Sequence, residues 1–319
     1  MYKYWYKEGG EMLEDILEVL PDKIKKEIAT VGSKTSINEI RLRVSRKIII
    51  NISKTEIVLN HIVELNDLLE ILVKVSKNSL YAIQNDINNG FVTIKGGHRI
   101  GVCGEVVIQD GKIKNIKNIS GMNIRVARQI IGCADKLLSK VIQDGIYHNT
   151  LIISPPGAGK TTILRDAIRQ LSNGIPYLNY LGQSIGVVDE RGEIAAISNG
   201  NINLDVGART DVMSNCPKSL GIEMLIRSMG VSIIATDEIG IDKDIDAIKL
   251  AATSGVKLIF TMHGTSIKDL IRKTKFKNLI LEGYFENIVI LSLVNGPGTL
   301  ETIKNINEIK WEEYINDYI

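Results

Sequence analysis

Apolar positions along this chain follow two regimes, and the change between them divides it. Met12, Leu13, Ile16, Leu17 and Leu20 recur at helical spacing until Pro21 interrupts them. Glu39-Ile-Arg-Leu-Arg-Val-Ser alternates apolar with polar, and Lys47 to Ile52 is rich in isoleucine, so both predict strands. A second helix is predicted over Leu65 to Val75. From Asn89 to Lys112 short β-prone runs are separated by glycine turns, which predicts an antiparallel meander. After Ser120 the spacing turns helical, with Ala134, Leu137, Leu138 and Val141 on one stripe.

Beyond Thr150 short apolar strands alternate with helical stretches: Leu151 to Ile153, Ile185 to Val188, Ser232 to Ala235, Leu258 to Met262 and Ile288 to Leu293. Such alternation predicts a mainly parallel sheet flanked by helices. The expected architecture is therefore a smaller N-terminal α+β domain over residues 1–125 and an α/β domain over residues 126–319.

Length agrees with two domains, since 319 residues exceed the rough allowance of about 150 per domain. At 44% hydrophobic and 24% charged, the composition disfavours disordered, collagenous and disulfide-scaffold classes. Thirty-nine Lys plus Arg against 37 Asp plus Glu leave +2, so nothing global draws the chain to nucleic acid or anionic lipid. Cys103, Cys133 and Cys216 are odd in number and form no CxxC pair, which argues against a disulfide framework or zinc site and leads to the expectation of a reducing cytoplasm. The first residues lack the apolar core of a secretory signal, and no run approaches the ~18 to 20 apolar residues that span a bilayer.

Leu151-Ile-Ile followed by Ser154-Pro155-Pro156-Gly157-Ala158-Gly159-Lys160-Thr161-Thr162 reads as a strand, a glycine loop and a helix start, the context a phosphate loop requires. Gly157 and Gly159 let backbone N–H groups approach phosphates, and the helix N-terminus adds partial positive charge. Lys160 is expected to reach the β/γ-phosphates of ATP and Thr161 to ligate Mg²⁺. Ser154 stands where the pattern has its first glycine, so it must keep a negative φ or be strained.

Three further elements end apolar strands. Ser232-Ile-Ile-Ala-Thr-Asp237-Glu238 reads as a Walker B element, with Asp237 holding Mg²⁺ through a water and Glu238 polarising the attacking water. Asp189-Glu190-Arg191-Gly192-Glu193 again places carboxylates after a strand, making Glu193 the rival base, although a solvated charged turn would look the same. His263, after Leu258-Ile-Phe-Thr-Met, is placed to sense the γ-phosphate through a water. Open parallel sheets bind ligands at the carboxyl ends of their strands, where all four elements fall.

In this order the elements resemble the secretion ATPases of type II and type IV systems, in which a phosphate loop is followed by an aspartate box (here Asp189 to Glu193), a Walker B and a histidine box. Met224-Leu-Ile-Arg227 and Ala251-Ala-Thr-Ser-Gly255 look like flanking segments of that P-loop NTPase family. The resemblance is closer still to its sporulation branch. It is carried by Glu39 to Arg43, Asn89 to Thr93, Gly96 to Arg99, Asn123 to Arg125, Asp205 to Asp211, Cys216-Pro217 and Asn295-Gly-Pro-Gly-Thr299, with residues 1–11 an extra leader. What it implies is an ATP- and Mg²⁺-dependent ring homo-hexamer on the mother-cell side of the forespore membrane, energising a secretion-like channel. It further implies a membrane-protein neighbour, stage III sporulation protein AB.

Ring ATPases can receive a transition-state arginine from a partner, and Arg209 and Arg227 are rivals for that role with Arg41, Arg43, Arg99, Arg125 and Arg128. For most of these arginines ordinary surface ion pairs are the simpler account. The competing class is a nucleic-acid-binding ATPase using the arginine-rich strand, which the near-neutral charge disfavours.

Overall fold

The computed structural model describes residues 9–31, 37–52, 55–77, 79, 83–88, 90–198, 200–240, 242–272, 274–309 and 311. Residues 1–8, most of the expected leader, and Asn89, which opens the expected meander, lie outside them. The described residues form two compact units, one built of residues 9–128 with Ala196–Leu204, the other of Gln129–Ala195 with residues 205–311. The short excursion at Ala196–Leu204 had no signature in the apolar pattern.

The first unit holds helices α1 (Gly9–Val19), α2 (Asp22–Ala29), α3 (Leu65–Val75) and α4 (Gln84–Asn88). Its strands are β1 (Ile37–Arg43), β2 (Lys47–Ile52), β3 (Thr55–Ile62), β4 (Phe91–Thr93), β5 (Arg99–Gln109) and β6 (Lys112–Arg125). They form an antiparallel sheet in the order β3-β2-β1-β6-β5-β4. Alternation does the sorting: Ile40 and Leu42 of β1, and Ile48 and Ile50 of β2, are buried against Ile16, Leu20, Ile24 and Leu68 of the helices. Glu39, Arg41 and Arg43 therefore fall on the opposite face of β1. The helical spacing expected after Ser120 gives way to strand up to Arg125, because Asn123, Ile124 and Arg125 are paired on both sides, with β1 and with β5. A strand with two partners has its backbone groups satisfied by the sheet.

The second unit opens with α5 (Asp135–Val141), whose Leu137, Leu138 and Val141 are fully buried, and a small ribbon, β7 (Ile142–Gln143) with β8 (Ile146–Tyr147). Then come β9 (Thr150–Ser154), α6 (Lys160–Asn173), β10 (Ile185–Asp189), β11 (Thr210–Ser214), α7 (Lys218–Ser228), β12 (Ile233–Thr236), α8 (Asp242–Thr253) and β13 (Lys257–His263). They are followed by α9 (Ile267–Arg272), α10 (Thr274–Leu281), β14 (Asn287–Ser292) and β15 (Thr299–Asn305). The sheet order is β11-β10-β12-β13-β9-β14-β15, parallel throughout except for β15 at the edge. Every residue of β9, β10 and β12 is buried, as expected of strands covered by helices on both faces. Phe260 and Phe285 meet edge to face at 6.1 Å within the core. Among the described residues no helix is long and apolar enough to cross a membrane.

Candidate nucleotide site

Parallel strands bring the ends of β9, β10, β12 and β13 to one edge of the sheet. β9 stops at Ser154, which is fully buried and does not take a positive φ; its hydroxyl donates to the Pro155 carbonyl at 2.9 Å. The serine in place of glycine thus carries no left-handed strain. Left-handed backbone appears where glycine stands, at Gly157 (φ 73°) and Gly159 (φ 85°). A Cβ on Gly159 would lie 3.1 Å from the backbone nitrogen of Gly298, whose N–H donates to the Ala158 carbonyl at 2.8 Å. The Gly-Pro-Gly turn between β14 and β15 therefore backs the phosphate loop. α6 begins at Lys160, with Thr161 and Thr162 half-buried in its first turn. The N–H groups of that turn have no acceptor within the helix and present partial positive charge to the loop.

Lys160 is buried, and its Nζ sits 2.5 Å from Glu238 Oε1, so the loop lysine meets the carboxylate beyond β12. The strand order places β13 between β9 and β12, so β12 is not a direct neighbour of the phosphate-loop strand. The length of the lysine side chain spans that gap. Glu238 Oε2 accepts from Arg191 Nη1 at 2.8 Å. The Lys160 hydrogen bond holds the Glu238 carboxyl below the usual carboxylate range, with burial opposing. Its backbone is left-handed (φ 44°), and its N–H donates to Thr261 Oγ1 at 2.9 Å. A glutamate fixed in this region is strained backbone of the kind functional sites store.

Asp237 beside it is 1% exposed, and its Oδ1 has no hydrogen-bond partner. Burial, then the charge of Asp189, pushes its pKa up to about 6. A buried carboxylate oxygen left without a donor fits a divalent cation, and Thr161 at the start of α6 supplies a second hard oxygen of the kind magnesium takes.

Asp189, at the end of β10, is equally buried but saturated. Its Oδ1 accepts from the N–H of Glu193 at 2.8 Å, and its Oδ2 from those of Ile194 and Ala195 at 3.1 and 2.9 Å. Buried Arg165 of α6 grips the same loop from behind, donating to the carbonyls of Glu193 and Ile194, each at 2.6 Å. Glu193 is half-buried on this loop, and Glu190 pairs with buried Lys218. His263 is the exposed last residue of β13, in register with Ser154 of β9.

Arg209 and Arg227 are not gathered at this edge. Arg209 precedes β11 and donates to the Ser172 carbonyl at 2.9 Å, at the amino ends of the strands. α7 runs from the carboxyl end of β11 back to the start of β12, so Arg227 in its last turn also lies at that opposite edge, paired with Glu223 at 2.6 Å. The sequence assigned no role to Arg191, Thr261 or Gly298, although Arg191 lies in the aspartate box and Gly298 in the Gly-Pro-Gly segment. The paired glycines around Pro297 were a signal for the last; nothing local marks Arg191 or Thr261 as partners of Glu238.

Comparison with known proteins follows this geometry. Residues 11–310 match the family described as "Sporulation stage III, protein AA". Stage III sporulation protein AA of Bacillus subtilis (strain 168) is 38% identical over 293 residues, covering 91% of this chain and 94% of that protein. Among solved structures, the Yersinia pseudotuberculosis ATPase DotB superposes with a TM-score of 0.57 at 14% identity, covering 99% of this chain and 86% of that one. The pilus retraction motor PilT with bound ADP gives 0.55 at 15% identity, covering 86% and 77%. At such identities the two structures speak for the fold alone, that of a P-loop α/β domain.

Proposed function

The chain belongs to the sporulation stage III protein AA family, and from that premise we propose that it hydrolyses ATP as a secretion-type ATPase. The observation that carries this reading is the convergence of a glycine loop, a helix N-terminus, Lys160, Glu238 and an orphaned Asp237 carboxylate on one sheet edge. In this reading the first-turn N–H groups of α6 bind the β- and γ-phosphates, and Lys160 leaves Glu238 to neutralise their charge. Thr161 directly, and Asp237 through a water, would hold Mg²⁺, which when bound would supply charge neutralisation for the phosphate oxygens. Glu238, ionised at neutral pH, orients the attacking water and takes its proton on Oε1. The water oxygen bonds to the γ-phosphorus, the bond to the β-phosphate oxygen breaks, and ADP and phosphate leave. Ser154 to Thr162 close around the phosphates. Glu193 is the rival base, and His263 reports on the γ-phosphate.

Arg209 and Arg227, remote from the phosphate loop of their own subunit, act from a neighbouring copy in a ring homo-hexamer. The cellular role that goes with the family is to drive a sporulation channel from the mother-cell side of the forespore membrane, beside stage III sporulation protein AB. No nucleic acid takes part. Steady-state hydrolysis with Mg²⁺, and again in excess EDTA, tests the activity; turnover that survives EDTA would contradict it.

A further inference from the structure

We propose that Arg191 is a positioning residue for Glu238, holding the carboxylate in place once the phosphates have taken Lys160 away from it. The proposal rests on the reading of Glu238 as the catalytic base. Glu238 meets one cation on each oxygen, Lys160 at Oε1 (2.5 Å) and Arg191 at Oε2 (2.8 Å). Bound phosphates draw Lys160, the cation of the phosphate loop itself, away from Oε1, and in this proposal Arg191 stays on Oε2. Oε1 is then released to accept a proton from water, while Oε2 stays anchored, so one carboxylate divides the work between its two oxygens.

Both ends of the Arg191–Glu238 pair stand on fixed backbone. On the Arg191 side, Asp189 collects the N–H groups of Glu193, Ile194 and Ala195, and buried Arg165 holds two carbonyls of the same loop. The loop is thus secured from within and presents a guanidinium outward. On the other side, left-handed Glu238 is tied to Thr261 of β13. The side chain of Arg191 is 61% exposed, and ion pairs so exposed add little to stability. An arrangement this well built around a contact that stabilises so little points to a use in orientation. Lysine would keep the charge but not the planar fork, so it should replace arginine only in part.

The test uses the full chain. Single-turnover ATP hydrolysis with Mg²⁺ is measured alongside equilibrium binding of ATP for wild type, Arg191→Ala and Arg191→Lys, and for Arg191→Ala combined with Glu238→Gln. Arg191→Ala should slow hydrolysis about 10- to 100-fold with affinity within about threefold of wild type, because misplacing a catalytic group costs rate rather than ground-state binding. Arg191→Lys should recover part of the loss. In the Glu238→Gln background Arg191→Ala should add less than about twofold, since groups acting as a unit are not additive. Wild-type rates in Arg191→Ala, an equal loss in the Glu238→Gln background, or an affinity loss as large as the rate loss would each overturn the proposal alone. A wild-type chain that neither binds nor hydrolyses ATP would overturn the nucleotide reading and this proposal with it.

Discussion

Asp189 ends β10 and Asp237 follows its parallel neighbour β12, and both are withdrawn from solvent, yet their surroundings are opposite. Asp189 is enclosed by three backbone N–H groups of its own loop; Asp237 keeps one oxygen without any donor. A buried carboxylate satisfied by backbone is structural, because its hydrogen bonds offset the cost of desolvation. A buried carboxylate left unsatisfied costs stability, and its persistence calls for a ligand that is not part of the chain. The same contrast separates the two candidate bases. Glu193 sits on the loop that Asp189 ties down, whereas Glu238 stands between Lys160 and Arg191 in a strained backbone next to the orphan.

The largest expected effect compares the two glutamates. Loss of a general base costs about 10²- to 10⁴-fold in rate while sparing ground-state binding. Glu238→Gln should therefore bind ATP and stall, and releasing Lys160 from its ion pair should leave affinity equal to wild type or tighter. Glu193→Gln should keep more activity. Single-turnover hydrolysis of both variants decides it: a deader Glu193→Gln with Glu238→Gln still turning over would move the base to the aspartate-box loop.

Next in size is the stability contrast between the aspartates. Asp189→Ala strands three backbone N–H groups, two of them fully buried, and should cost about 3 kcal/mol, at about 1–3 kcal/mol for each buried group. Asp237→Asn removes a charge that is buried and unsatisfied, and should leave the nucleotide-free protein as stable as wild type or more so. Urea unfolding in EDTA checks both; comparable losses in the two variants would erase the distinction.

The smallest effect is a pH slope. The Asp237 carboxyl is pushed up to about 6 in the folded chain from an ordinary value of 3.8, so the folded state holds its proton more tightly than the unfolded one. Its contribution is fully present below about pH 4 and is lost as pH rises toward 6 and beyond, by up to about 3 kcal/mol. Asp237→Asn should remove that part of the slope when melting is followed from pH 4 to 7 in EDTA. A slope unchanged by the substitution would place the carboxylate in a wetter or better-satisfied setting.

Much of this was legible in the sequence where local chemistry determines conformation. The phosphate loop was readable because left-handed turns call for glycine at positions such as 157 and 159, and the central strands because burial on both faces demands continuous apolar runs. α3 was readable at both ends, its apolar period being unbroken from Leu65 to Val75. β11 was not, since all five of its residues are only half-buried at the sheet edge and carry no apolar period. Nor were the partners of Glu238. Arg191 lies 47 residues away in sequence and reaches it only because β10 and β12 pair. The remoteness of Arg209 and Arg227 was equally hidden, because it follows from the direction in which β11 and α7 run.

The measurement nearest the central claim is equilibrium binding of ATP, with Mg²⁺, to wild type and Lys160→Ala. The account predicts that removing this single positive charge from the mouth of the loop abolishes most nucleotide binding while leaving the melting temperature near that of wild type. Wild-type affinity in a folded Lys160→Ala protein would contradict it.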